Sequence, residues 1–125
     1  MNPERVKNNL IIRLSFEFAL SAMKFCQKLD DERKYIIANQ LLRSALSIGA
    51  NVREAQNAES TADFIHKMKI ACKEADESEY YLMLIENAYH FDEVKKLLDE
   101  IIIINRILNK IITTSQRNRK QKKPV

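Results

Sequence analysis

Glycine occurs once in this chain of 125 residues, proline twice and tryptophan not at all. With so few turn-formers, and with no sustained alternation of apolar and polar residues, a sheet architecture is excluded in favour of an all-α fold. The two cysteines, Cys26 and Cys72, fall on separate predicted helices and lack metal-ligand or redox spacing, which excludes a disulfide framework and a zinc knuckle. No secretory signal precedes the first predicted helix, so the expected compartment is the cytoplasm, with both thiols buried or idle. No apolar run approaches the roughly 18 residues that span a bilayer, and no membrane role is expected.

Acidic and basic residues are plentiful but unevenly placed. From Gln116 onward Arg117, Arg119, Lys120, Lys122 and Lys123 stand without a single acid, while the other 115 residues carry 16 basic and 17 acidic side chains. The domain reading is therefore a nearly neutral helical body, 1–115, followed by a short basic tail, 116–125, expected to be disordered.

The body divides into four helices. The first is expected from about Arg5 to Leu29, with Leu10, Leu14, Phe18, Ser21 and Phe25 on one side and Ile11, Met23 and Leu29 near its edges. Asp30, Asp31 and Glu32 make a short connection and supply negative charge to the start of the second helix. That helix carries an apolar row of Ile37, Leu41, Ala45, Ile48, Val52 and Ala55 at steps of three or four, and runs to about Asn57. It passes through Gly49, whose cost of about 1 kcal/mol in a helix interior asks for a closely approaching backbone.

Ser60 and Asp63 form a capping box that opens the third helix. Its seam is Phe64, Met68, Ala71, Ala75, Ser78, Leu82, Ile85 and Tyr89, narrow in the middle and bulky at both ends. His90, Phe91 and Asp92 make a very short turn, so the third and fourth helices are antiparallel neighbours. Val94, Leu97, Ile101, Ile104, Leu108 and Ile111 form the fourth seam, broadened by Leu98, Ile102 and Ile112. An antiparallel up-down-up-down four-helix bundle follows.

The second helix also has a polar row: Gln40, Ser44, Ser47, Asn51 and Glu54. Small polar residues at this spacing suit a close, hydrogen-bonded helix contact, whereas a solvated face would carry longer charged side chains. With Arg43 added, Gln40, Arg43, Ser44, Ser47, Asn51 and Glu54 are the expected subunit interface of an oligomer, because a polar residue in a packed seam fixes register at some cost in stability.

Catalytic, cofactor and metal sites find no support. Gly49 stands alone, so there is no glycine-rich phosphate loop, and neither cysteine has a base and an orienting group named by the sequence. Asp63 and His66 make a single acid-x-x-His pair. The other histidine, His90, lies about 36 Å further along the same helix at 1.5 Å per residue, too far to complete a ligand set.

The run Gln40-Leu41-Leu42-Arg43-Ser44-Ala45-Leu46-Ser47-Ile48-Gly49-Ala50-Asn51-Val52-Arg53-Glu54-Ala55 resembles the four-helix-bundle proteins encoded by intervening sequences in bacterial 23S rRNA genes. So do Asp63-Phe64-Ile65-His66-Lys67-Met68 and Lys73-Glu74-Ala75 with Glu79 and Tyr80. The resemblance covers about residues 10–112 and implies an antiparallel bundle assembled as a ring-like homopentamer. The group is similar in fold to the accessory variability determinant of diversity-generating retroelements, a basic pentamer that binds a reverse transcriptase and nucleic acid. This chain differs from that relative in keeping its cations in the tail.

Two functional expectations follow. One is a non-enzymatic oligomeric scaffold or adaptor whose tail residues Arg117, Arg119, Lys120, Lys122 and Lys123 contact RNA or DNA phosphates. The other is a structural protein-interaction oligomer with no nucleic-acid role. The tail has no aromatic residue to stack on a base, so any contact should be to phosphates and strongly salt-dependent.

Overall fold

Local hydrogen-bonded caps close two of the helix ends, and the connections between helices are short. The computed structural model describes the backbone of residues 3–121 and side chains from Asn8 onward. Its four helices are α1 (Pro3–Asp31), α2 (Tyr35–Gln56), α3 (Thr61–Ala88) and α4 (Glu93–Gln121).

The end of α1 is a Schellman closure. The Arg33 amide donates to the Asp30 carbonyl and the Lys34 amide to the Leu29 carbonyl, both at 2.9 Å. Arg33 takes the left-handed φ of 64° at the position where glycine is usual. The acids Asp30 and Asp31 therefore finish α1 and do not open α2, whose N-cap Lys34 makes no side-chain bond. The Ser60 half of the expected capping box is present at the α3 start, where the Asp63 amide donates to Ser60 Oγ at 3.0 Å, but the Asp63 carboxylate reaches one residue further back and accepts from the Glu59 amide at 3.4 Å.

Side-chain pairs fix the helix directions. As the α2 partner advances from Gln40 through Ser44 to Glu54, the α3 partner retreats from Tyr81 through Ser78 to Lys67, which requires antiparallel packing. The same retreat links Cys72 to Asn109 and Glu79 to Asn105 across α3 and α4. Each helix packs against its neighbours in the chain, and α1 closes the square against α4. Phe18, Leu41, Ile48, Met68, Leu82, Ile101, Ile104 and Leu108 fill the centre. Burying each large side chain contributes about 1.5–3 kcal/mol, so these residues dominate the fold's stability.

The α4 seam is buried as the spacing predicts, from Val94 to Ile111. The α1 face is rotated by about one residue: Ile11, Ser15, Phe18, Ala22, Phe25, Cys26 and Leu29 are buried, while Leu10, Leu14 and Ser21 are only partly covered and Met23 is half exposed. Phe18 and Phe25 belong to both rows, and the true row wins because small Ser15 lets α1 come close to Gly49. A Cβ placed on Gly49 would lie 3.6 Å from Ser15 Oγ and 3.7 Å from its carbonyl oxygen, ordinary contact distances. Close approach is therefore present, but it does not demand glycine.

Smaller shifts occur at the helix ends. Ala38 joins the buried α2 row while Ile37 stays half-buried, and Ile65 replaces Phe64 in the α3 seam. Tyr89 caps α3 in extended conformation instead of ending its seam. Between α3 and α4, Phe91 packs edge-on against Phe25 at 5.4 Å, with the Lys28 and Lys34 ammonium groups 5.4 and 6.0 Å from its ring centre. Lys34 also lies 4.6 Å from the Tyr89 ring, and Lys28 pairs with Glu93 at 2.9 Å.

Candidate subunit and nucleic-acid interfaces

Three residues of the α2 polar row, Gln40, Ser44 and Glu54, bond to α3 of the same chain, while Asn51 turns back to its own helix. Ser44 is fully buried; its Oγ lies 2.8 Å from Ser78 Oγ, and each hydroxyl also reaches a carbonyl of its own helix, Leu41 at 3.1 Å and Glu74 at 3.0 Å. Ser44 thus has no surface left for a second copy. Gln40 accepts from the Tyr81 hydroxyl at 3.3 Å, and Glu54 holds Lys67 at 3.1 Å. Asn51 donates back to the Ser47 carbonyl at 2.9 Å.

Arg43 spans two acids, reaching Glu74 at 3.3 Å and Glu77 at 3.0 Å. Burial pushes the Glu74 carboxyl above its ordinary value, the neighbouring Glu77 adds to this, and Arg43 opposes both. The hydrogen bond to Glu77 in turn raises Arg43. Of the six residues expected at a subunit interface, Gln40, Arg43, Ser47, Asn51 and Glu54 keep some exposure, and they ring an intramolecular seam. A seam of small polar residues announces a close helix contact without saying whose helix it meets.

Outward apolar side chains supply a signal that the heptad reading passed over. Phe16, Leu20 and Met23 recur at four and three on the outer face of α1 and are each about half exposed. On the α2–α3 side, Ile36 is 83% exposed and Tyr80 58%. Leu46, Met83, Leu84 and Ile103 are exposed as well. Single exposed apolar residues are ordinary, but a row at helical spacing on α1, with Tyr80, Met83 and Leu84 at steps of three and four on α3, is more than a monomer's surface requires.

The basic segment is helical where it was expected to be disordered. α4 continues past Ser115 to Gln121, carrying Arg117, Arg119 and Lys120 as exposed helical residues; Lys122 and Lys123 lie outside the described residues. Arg, Lys and Gln are good helix formers, and cations in the last turn complement the helix dipole, so the charge run extends the helix it follows. Arg119 and Lys120 meet Lys69, Gln116 and Ile65 around an open cleft of about 370 Å³ between α3 and α4. The sequence reading missed Lys69, because only the antiparallel register brings the start of α3 to the end of α4.

The thiols and histidines sit apart from these surfaces' chemistry. Burial, with help from Asp30, pushes the Cys26 thiol up to about 12, and burial likewise raises Cys72, so neither is a ready thiolate. Asp63 is spent on the α3 cap while His66 is exposed. Among the described residues no three of His, Cys, Asp and Glu gather as a metal ion would need. No helix among them is long and apolar enough to cross a membrane.

An antiparallel four-helix bundle with a hydrogen-bonded α2–α3 seam, outward apolar rows and a basic α4 end defines the class of protein. The model for the 23S rRNA-intervening sequence protein matches residues 7–110, and the chain belongs to that family. A crystal structure at 1.70 Å of a protein with unknown function from the S23 ribosomal protein family, from Bacteroides thetaiotaomicron VPI-5482, is similar to it. The two are 41% identical with a TM-score of 0.80, over 86% of this chain and 98% of that one. Among curated proteins, none matches the chain.

Proposed function

We propose that this protein is a non-enzymatic, self-associating scaffold or adaptor of the cytoplasm that gathers RNA or DNA phosphates at the basic end of α4. The observation that carries the reading is the pair of outward apolar faces, Phe16, Leu20 and Met23 on α1 and Ile36 with Tyr80 across α2 and α3. They lie on different sides of the bundle, so contact between them is head-to-tail and closes into a ring when the rotation permits. A homopentamer is the ring that the family resemblance implies. Two free cysteines suit a reducing compartment.

Assembly also multiplies the basic ends, and several weak phosphate contacts on one ring gain by avidity. Light scattering on the full chain, eluted from a sizing column at micromolar protein, tests the scaffold. A mass of several subunits is expected, falling toward one subunit when Phe16 and Met23 are both replaced by Glu. A monomeric parent chain would overturn the reading.

A further inference from the structure

The near-neutral charge of the helical body conceals a strong segregation. After Glu100 the chain holds Arg106, Lys110, Arg117, Arg119, Lys120, Lys122 and Lys123 and no acid. The acids of α4 all precede Ile101, and those of α3 other than Asp63 begin at Glu74. Antiparallel packing then lays the basic first half of α3 beside the basic second half of α4. Arg106, Lys110 and Arg117, at steps of four and seven, share one exposed stripe of α4, and Lys69, Arg119 and Lys120 line the cleft beside it. None of these six makes an ion pair among the described residues, whereas Lys28, Arg43 and Lys67 all do. Of the α3 acids, Glu79 accepts from Asn105 and Asp76 lies beside Cys72, which meets Asn109, so both approach the Arg106–Lys110 part of the stripe, while no acid lines the cleft of Lys69, Arg119 and Lys120.

We propose that this α3–α4 face is a docking surface for the sugar-phosphate backbone of a nucleic-acid duplex, a proposal that rests on the adaptor reading and extends its contact from the end of α4 along the folded body. Charge complementarity selects the occupant: cations without ion pairs on two packed antiparallel helices present a row of positive charge about 21 Å long from Arg106 to Lys120 at 1.5 Å per residue. The exposed stripe and the cleft contain no aromatic side chain, so there is no platform for unstacked bases. A duplex, whose bases are already stacked and whose phosphates face outward, fits such a surface better than a single strand. RNA and DNA duplexes share this chemistry, and the face reads no sequence.

The test is a fluorescence-anisotropy titration with the full chain, using an RNA duplex, a DNA duplex of the same sequence and the corresponding single strands. Salt is varied between about 50 and about 200 mM. If all six cations reach phosphates, duplex affinity falls about a thousandfold over this range. The variant Lys69→Gln/Lys110→Gln lowers the salt slope by about two, while Lys122→Gln/Lys123→Gln leaves most of it in place. A slope unchanged by the first variant but collapsed by the second would overturn the face and leave the adaptor reading standing on the tail. Preference for single strands would overturn the duplex as occupant. No binding of any probe at micromolar protein would overturn the face and the nucleic-acid part of the proposed function together.

Discussion

Replacing Ser44 and Ser78 by alanine, singly and together, tests the polar seam between α2 and α3. The pair makes three short contacts: 2.8 Å between the hydroxyls, 3.1 Å from Ser44 to the Leu41 carbonyl and 3.0 Å from Ser78 to the Glu74 carbonyl. Two hydroxyl protons serve three contacts, so at any moment one hydroxyl donates across the seam and the other donates to its own helix. Removing either side chain leaves the survivor with a carbonyl still in reach, and no buried donor is orphaned. A single substitution therefore costs only the inter-helix bond, about 0.5–1.5 kcal/mol, less a few tenths returned by alanine's better helix propensity. The second substitution finds that bond already gone and removes only the survivor's bond to its own helix carbonyl, a back-bond with no net worth beyond what serine's helix propensity already includes, so it adds only the propensity gain. The double variant should thus return close to parental stability, with a coupling of about 1 kcal/mol between the sites. Urea denaturation of all four proteins at one protein concentration, compared at a common slope, measures this cycle. A single variant losing more than about 2 kcal/mol would mean that an orphaned donor had been created, and the proton accounting would be refuted. Zero coupling would refute the contact itself.

Three further outcomes follow from the same geometry. Gly49→Ala should raise stability by up to about 1 kcal/mol, because the added methyl meets Ser15 at ordinary distances; a loss, measured by thermal unfolding, would mean that α1 sits closer than 3.6 Å. Arg33→Gly should stabilise by up to about 1 kcal/mol by relieving a left-handed φ of 64°, and a decrease in denaturation midpoint would show that the Arg33 side chain matters more than its backbone. Burial raises the Glu100 carboxyl above 4.5, so the folded state binds its proton more readily than the unfolded chain does. This penalty is present at neutral pH and is relieved as pH falls through the range just above 4.5. Relative to Glu100→Gln, the parent should gain stability over that window, and a parent that instead loses ground would reverse the sign assigned to this group.

The sequence carries the helix count, the α4 seam and the α3 cap because each rests on local chemistry: 3.6-residue periodicity, a serine three residues before an acid, short connections. It does not carry the α1 face, since Phe18 and Phe25 lie on both candidate rows. The choice between them is made by Ser15 and Ala22, whose small size is worth something only once α2 is in place. The polar row of α2 is legible as a contact, yet Ser44 meets Ser78 in the same chain, and nothing in its composition distinguishes an internal neighbour from an external one. The basic run after Gln116 has the composition of a solvated tail and the propensity of a helix; attached to α4 it takes the second course as far as Gln121. Lys69 enters the basic cleft through register alone, a long-range fact that no window of sequence contains.

The two ends of the bundle are mechanically unequal. At one end the α1–α2 and α3–α4 connections lie together, riveted by Phe91, Phe25, Lys28, Lys34 and Glu93. At the other end α1 begins, α4 finishes and a single connection joins α2 to α3, around an open cavity of about 430 Å³ that touches Asn8, Ser60 and Arg119. Local opening costs least where fewest contacts must break. Local opening is therefore expected to begin at the far end, and hydrogen exchange should show amide protection declining along all four helices away from the aromatic rivet.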